Sequence, residues 1–131
     1  MTKPMPTSRL SLYQCGDVVA VPFPYSDRFA EKRRPALVVS NQKLSAAGMI
    51  WLVMITSAKN SGGHFDQRVD DLARAGLTSP SVIRPTKIAC LEPSRILRRL
   101  GEVAEPEMQS VLANARSFLH FDSEARADRQ N

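Results

Sequence analysis

The chain has 131 residues, 43% hydrophobic and 24% charged, which suits one folded domain and excludes both wholesale disorder and two independent cores. Its longest apolar run, Met49–Ile55, falls far short of the roughly 20 residues that cross a bilayer, and two Cys and two His make neither a disulfide framework nor a zinc set. The formal charge of +5 is uneven: the first hundred residues carry +8 (fifteen Lys/Arg against seven acids) and the last thirty-one carry −3 (three against six). Thirteen of the eighteen cations are Arg, whose planar fork matches phosphate. That balance points to a polyanionic partner, RNA or DNA; no basic amphipathic helix supports a membrane one.

Residues 1–14 read as a polar lead-in. Met1–Leu10 has no apolar export signal, so the cytoplasm is the expected compartment. Asp17–Phe23 (DVVAVPF) is β-branched and short, a strand ended by Pro22 and Pro24. Pro24–Arg33 is a long polar loop, Ala36–Ser40 a second buried strand and Met49–Thr56 a third, apolar enough to lie mid-sheet. Ser57–Gly63 is turn-rich, Phe65–Val69 reads as an edge strand and Leu77–Ser81 as a turn. Val82–Leu91 alternates like a strand, with Pro85 demanding an edge or a bulge. Ile96–Val103 is a last short strand. Glu105-Pro106-Glu107 then opens a helix whose apolar stripe is Met108, Val111, Leu112, Ala115 and Leu119. The expected architecture is α+β and mainly β: a small, partly open β-barrel or sandwich with a C-terminal α-helix. Residues 15–119 form its single domain and 120–131 a polar tail.

Ordinary catalytic sets drop out. His64 reads as a solvated loop residue and His120 as part of the tail, so they do not pair. Cys15 and Cys90 read as buried, inert thiols, Asp70-Asp71 as a solvated loop face, and Trp51 as a core residue. No Walker or GxGxxG sequence is present, and no metal or cofactor is expected. What remains is arginine at strand ends. Arg34 stands where loop becomes strand, and Arg84 lies on a strand with Thr86 two residues on, on the same face by alternation. Thr56 and Ser57 end the third strand. Singly, each reads as a solvated or ion-paired residue, and spacing alone does not join them.

Taken together, Gly16-Asp17-Val18-Val19, Arg34-Pro35-Ala36-Leu37-Val38-Val39-Ser40, Ile55-Thr56-Ser57, Ser81-Val82-Ile83-Arg84-Pro85-Thr86-Lys87-Ile88 and Leu100-Gly101 with a closing helix resemble the MazF/PemK toxin family of toxin–antitoxin modules, in the family's order. The resemblance spans about Cys15 to Leu119. It implies an SH3-like barrel of the CcdB/MazF type, a homodimer, and a metal-independent, sequence-selective endoribonuclease on single-stranded RNA. Such enzymes leave a 2′,3′-cyclic phosphate and a 5′-hydroxyl. The implied inhibitor is a cognate antitoxin that lays an acidic, disordered segment over the RNA groove.

By the same resemblance, Arg34 and Thr56 are catalytic, Arg84 is the second catalytic Arg, clamping the scissile phosphate with Arg34, and Asp17 is a catalytic acidic position. Ser57, Thr86, Lys87, Arg33, Tyr25 and Arg28 are expected to bind RNA, with Tyr25 and Phe29 stacking on bases. Some members carry a carboxylate base two residues past the second Arg; here Thr86 stands there. That leaves Asp17, Asp27, Glu31 or solvent as the base. The rival readings are a non-cutting module of the same barrel, like the gyrase-inhibiting relatives, and a protein-interaction subunit using the last helix.

Overall fold

The structure, a computed structural model, describes residues 12–22 and 33–120. Six strands make one antiparallel sheet: β1 (Asp17–Pro22), β2 (Arg33–Val38), β3 (Ile50–Ser57), β4 (Gln67–Arg68), β5 (Ser81–Leu91) and β6 (Arg98–Glu102). Its spatial order is β4-β5-β3-β2-β1-β6, so the apolar β3 lies inside, as its composition requires. Three helices accompany it: α1 (Gln42–Ala46), α2 (Leu72–Ala75) and α3 (Glu105–Ser117). The sheet curls into a half-barrel closed by α3. No helix among the described residues is long and apolar enough to cross a membrane.

Both sheet faces are apolar, because alternate residues of each inner strand are hydrophobic in both phases. One face gathers Val18, Leu37, Val53, Ile55 and Ile83 beneath Met108 and Val111 of α3. The other gathers Val19, Val21, Ala36, Val38 and Leu52 with Ile96. Burial of each such side chain contributes about 1.5–3 kcal/mol, so curling the sheet over its second face outweighs leaving it wet.

Pro85 behaves as its missing N–H demands. Val53 pairs with Ile88 while the next residue, Met54, pairs with Arg84. Pro85, Thr86 and Lys87 are therefore extra on β5, a bulge inside an interior strand. The helix stripe holds through Ala115, but Leu119 lies past the helix and is 62% exposed. Glu107 does more than start the helix. It is buried, and its carboxylate accepts the Asp70 amide at 2.7 Å, tying α3 to the segment before α2.

Several expectations are corrected. One terminal helix was expected, and the fold adds two short ones, α1 and α2. Their signals were local: Asn41 caps α1 by accepting from the amides of Lys43 and Leu44, and Asp71 caps α2 by accepting from Arg74. Trp51 is not a core residue. It is 39% exposed, abreast of Cys90 near the start of β3. Cys15 and Cys90 are both exposed rather than buried. Partial burial, with Glu105 and Asp17 close by, nevertheless pushes the Cys15 thiol above its usual value.

Candidate active site

The start of β2 and the end of β3 meet at one rim of the half-barrel. Ala36 pairs with Met54, and carrying that register on by two residues sets Arg34 abreast of Thr56. Both side chains line a hollow of about 320 Å³, shared with Arg33, Ser57, Thr78, Ser79 and Ser81. The hollow is rich in hydroxyls, and its cations are on β2. Arg34 is half-buried beside Val21. Among the described residues, its Nε is the one buried side-chain nitrogen or oxygen without a hydrogen-bond partner. An orphaned guanidinium N–H costs roughly 1–3 kcal/mol, which a fold tolerates where a ligand supplies the acceptor.

Ser57 turns the chain out of β3. Its hydroxyl accepts the Lys59 amide at 3.2 Å and caps a single 3-10 turn, Ala58–Asn60. The Ala58 amide donates to the Pro80 carbonyl at 2.9 Å, clamping that turn to the segment before β5. The Asn60 side-chain amide reaches back and donates to Thr56 Oγ1 at 3.1 Å.

Arg84 does not line this hollow. It stands abreast of Met54, on the face that carries Arg34 and Thr56, but one strand beyond β3. Two strand spacings with a two-residue offset separate the Arg34 and Arg84 backbones by roughly 10–12 Å. Its guanidinium is already engaged. Nε donates to Asp66 Oδ1 at 3.0 Å, and a terminal nitrogen donates to Asp66 Oδ2 at 2.8 Å and to the Asn60 carbonyl at 2.7 Å. The bidentate bond from Arg84 holds the Asp66 carboxyl below its usual range, and the same bond raises the Arg84 value. Among the described residues Arg34 Nε thus has no partner, whereas Arg84 is ion-paired with Asp66.

Asp17 is also placed elsewhere. Arg34 is abreast of Val21, four residues and roughly 13 Å along β1 from Asp17. The Asp17 carboxylate accepts from the Gln14 amide at 2.9 Å and from Arg99 Nε at 3.1 Å, beside Glu102 of β6. Thr86 and Lys87 are exposed in the β5 bulge, outside the hollow, because the bulge breaks the alternation that would have kept Thr86 on the face of Arg84. Arg33 and Ser57 do line it. Tyr25, Arg28, Asp27, Glu31 and Phe29 lie outside the described residues. Among the described residues no cluster of three or more His, Cys, Asp or Glu could hold a metal ion.

Sequence reasoning missed Asn60 and Asp66. Their one signal was position: Asn60 falls in the turn-rich segment that follows Thr56, and Asp66 lies just past Gly62-Gly63, inside the stretch read as an edge strand. The Gly63 amide donates to Asp66 Oδ2 at 3.3 Å, closing that turn.

A curled six-stranded antiparallel sheet, a closing C-terminal helix and an arginine–threonine hollow at one rim define a small β-barrel toxin of the MazF fold. The chain belongs to the family of PemK-like, MazF-like toxins of type II toxin–antitoxin systems, whose profile matches residues 14–119. In fold it is similar to MazF from Deinococcus radiodurans, at 22% identity over 80% of this chain and 94% of that one, TM-score 0.64. It is likewise similar to an endoribonuclease in complex with its cognate antitoxin from a Mycobacterial species (18% identity, 83% and 99% covered, TM-score 0.62). The Mycobacterium tuberculosis toxin MazF-mt6 also shares the fold (19% identity, 79% and 99% covered, TM-score 0.59). No curated protein sequence matches the chain.

Proposed function

We propose that this toxin is an endoribonuclease that cuts single-stranded RNA in the cytoplasm, with Arg34 and Thr56 at the reacting phosphate and residues 15–119 as the working unit. The ribose 2′-oxygen attacks phosphorus in line, the O2′–P bond forms and the P–O5′ bond breaks. The products are a 2′,3′-cyclic phosphate and a 5′-hydroxyl. Negative charge concentrates on the non-bridging oxygens as this happens. Arg34 and the hydroxyls of Thr56 and Ser57 are donors positioned to stabilise it. The substrate carries its own nucleophile, so no protein nucleophile is required and DNA is not cut.

The observation that carries this reading is the buried, unpartnered Arg34 Nε beside Thr56 in an anion-sized hollow. The 2′-hydroxyl proton passes to solvent and O5′ takes a proton from solvent as it leaves, since Asp17 is remote and both oxygens of Asp66 are held by Arg84. Arg33 and Ser57 flank the phosphate, and Lys87, Thr86, Tyr25 and Arg28 contact the RNA beyond it. A cognate antitoxin with an acidic segment would cover the same basic rim, and a homodimer would present two such rims.

The test is cleavage of a mixed-sequence RNA in EDTA with product ends assigned. Arg34→Ala is expected to lower cleavage by roughly 10²–10³, the size of losing one preorganised donor. Full activity in that variant removes Arg34 from the mechanism. RNA bound but never cut leaves a binding module instead.

A further inference from the structure

Arg84 is a cation on the face of the site that is spent on protein groups, and the bonds it makes lead to Thr56. Asp66 grips the guanidinium through two bonds of 3.0 and 2.8 Å. The pair is largely shielded, with 19% of the Arg84 side chain and 8% of Asp66 exposed. The terminal nitrogen that meets Asp66 Oδ2 also donates to the Asn60 carbonyl, at 2.7 Å. Asn60 in turn donates its side-chain amide to Thr56 Oγ1 at 3.1 Å. An amide –NH₂ has no acceptor to offer, so the bond occupies a lone pair of the hydroxyl and leaves its proton free to point away. Thr56 is also one of the residues that line the Arg34 hollow. A hydroxyl that accepts one hydrogen bond is also a stronger donor in the next.

We infer that Asn60, held in place by the Arg84–Asp66 ion pair, is a positioning residue that aims the Thr56 hydroxyl proton into the Arg34 hollow. The inference rests on the nuclease reading above and deepens it. Arg84 and Asp66 then act on the reaction through Asn60, without touching the phosphate.

A double-mutant cycle with single-turnover kinetics on one short RNA tests this. Asn60 is exposed, so Asn60→Ala leaves the core intact. It is expected to lower kcat about tenfold with KM unchanged, the size of one hydrogen bond lost at the transition state. In a Thr56→Ala background the same substitution is expected to change nothing further, because its route to the substrate is gone. Asn60→Asp keeps the shape but supplies an acceptor that captures the Thr56 proton, so its loss should exceed that of Asn60→Ala. Asp66→Asn is expected to lower kcat although it makes the site more positive. Faster cleavage in Asp66→Asn would mean that Asp66 restrains a phosphate-binding Arg84, and would overturn the inference. Equal losses from Asn60→Ala with and without Thr56, or no loss at all, would overturn it too. A wild-type chain that leaves RNA intact is a different result: it removes the nuclease reading first, and this inference with it.

Discussion

Two arginines of one sheet face have opposite electrostatic fates. Arg34 keeps a buried N–H with no acceptor among the described residues, while Arg84 gives its Nε and one terminal nitrogen to Asp66 and Asn60. The difference should show as a split between activity and stability. Arg34→Ala removes no hydrogen bond made by Nε, so its melting temperature should stay near wild type while cleavage collapses. Removing Asp66 should cost stability, roughly 1–3 kcal/mol for a hydrogen-bonded charge left without its partner. That cost depends on pH in one direction. The Asp66 carboxyl sits below its unfolded value of about 3.9, so its contribution is complete above that value and drains away as pH falls through the folded one. Melting curves of wild type and Asp66→Asn should therefore differ at pH 7 and converge in strong acid. A gap that persists below both values would mean that the carboxylate charge is not what stabilises the loop.

Elements meet most tightly where α2 lies against β6. Gly76 ends α2 in the left-handed region, φ +74°, and its Cα faces the Leu100 carbonyl. A Cβ on Gly101 would collide with the Arg74 carbonyl oxygen and lie 2.5 Å from the Ala75 carbonyl carbon. Both obstacles are backbone and cannot rotate aside. Gly101→Ala is expected to destabilise by about 3 kcal/mol, the upper range for overpacking, measured by urea unfolding. A neutral result would show that α2 moves off β6 freely. The β5 bulge is the other element-scale device. Ile83 turns to the α3 side and Arg84 to the site face by ordinary alternation, and the three inserted residues Pro85–Lys87 then shift that phase before pairing resumes at Ile88.

For the whole molecule, the proposed nuclease reading makes charge decide how RNA is met: the first hundred residues carry +8, with Arg33 and Arg34 at the rim, and attract a polyanionic backbone. Apparent affinity for single-stranded RNA should fall steeply with salt, with log K linear in log salt at roughly −0.7 per phosphate contacted. A single 2′-deoxy substitution at the scissile nucleotide should block cutting and leave binding in place. Cleavage of the deoxy substrate would rule out attack by the 2′-oxygen.

The succession of strands along the chain, the interior place of Met49–Thr56, the helix start at Glu105-Pro106 and the need for a break at Pro85 were all legible locally, because hydrophobic period, proline chemistry and charge act over a few residues. The importance of Arg34 and Thr56 was legible only through a resemblance of motifs. What lay beyond reach was who meets whom across the sheet. Residue types do not say that Arg84 is claimed by Asp66 eighteen positions earlier, that Asn60 turns back on Thr56, or that Asp17 belongs to Arg99 at the far end of β1. Those pairings depend on strand register and on one bulge, and both are settled by how two apolar faces bury themselves at once. The chain alone thus determined a small basic β-domain with a closing helix. The fold decided that Arg84 is paired with Asp66 while Arg34 Nε has no partner among the described residues.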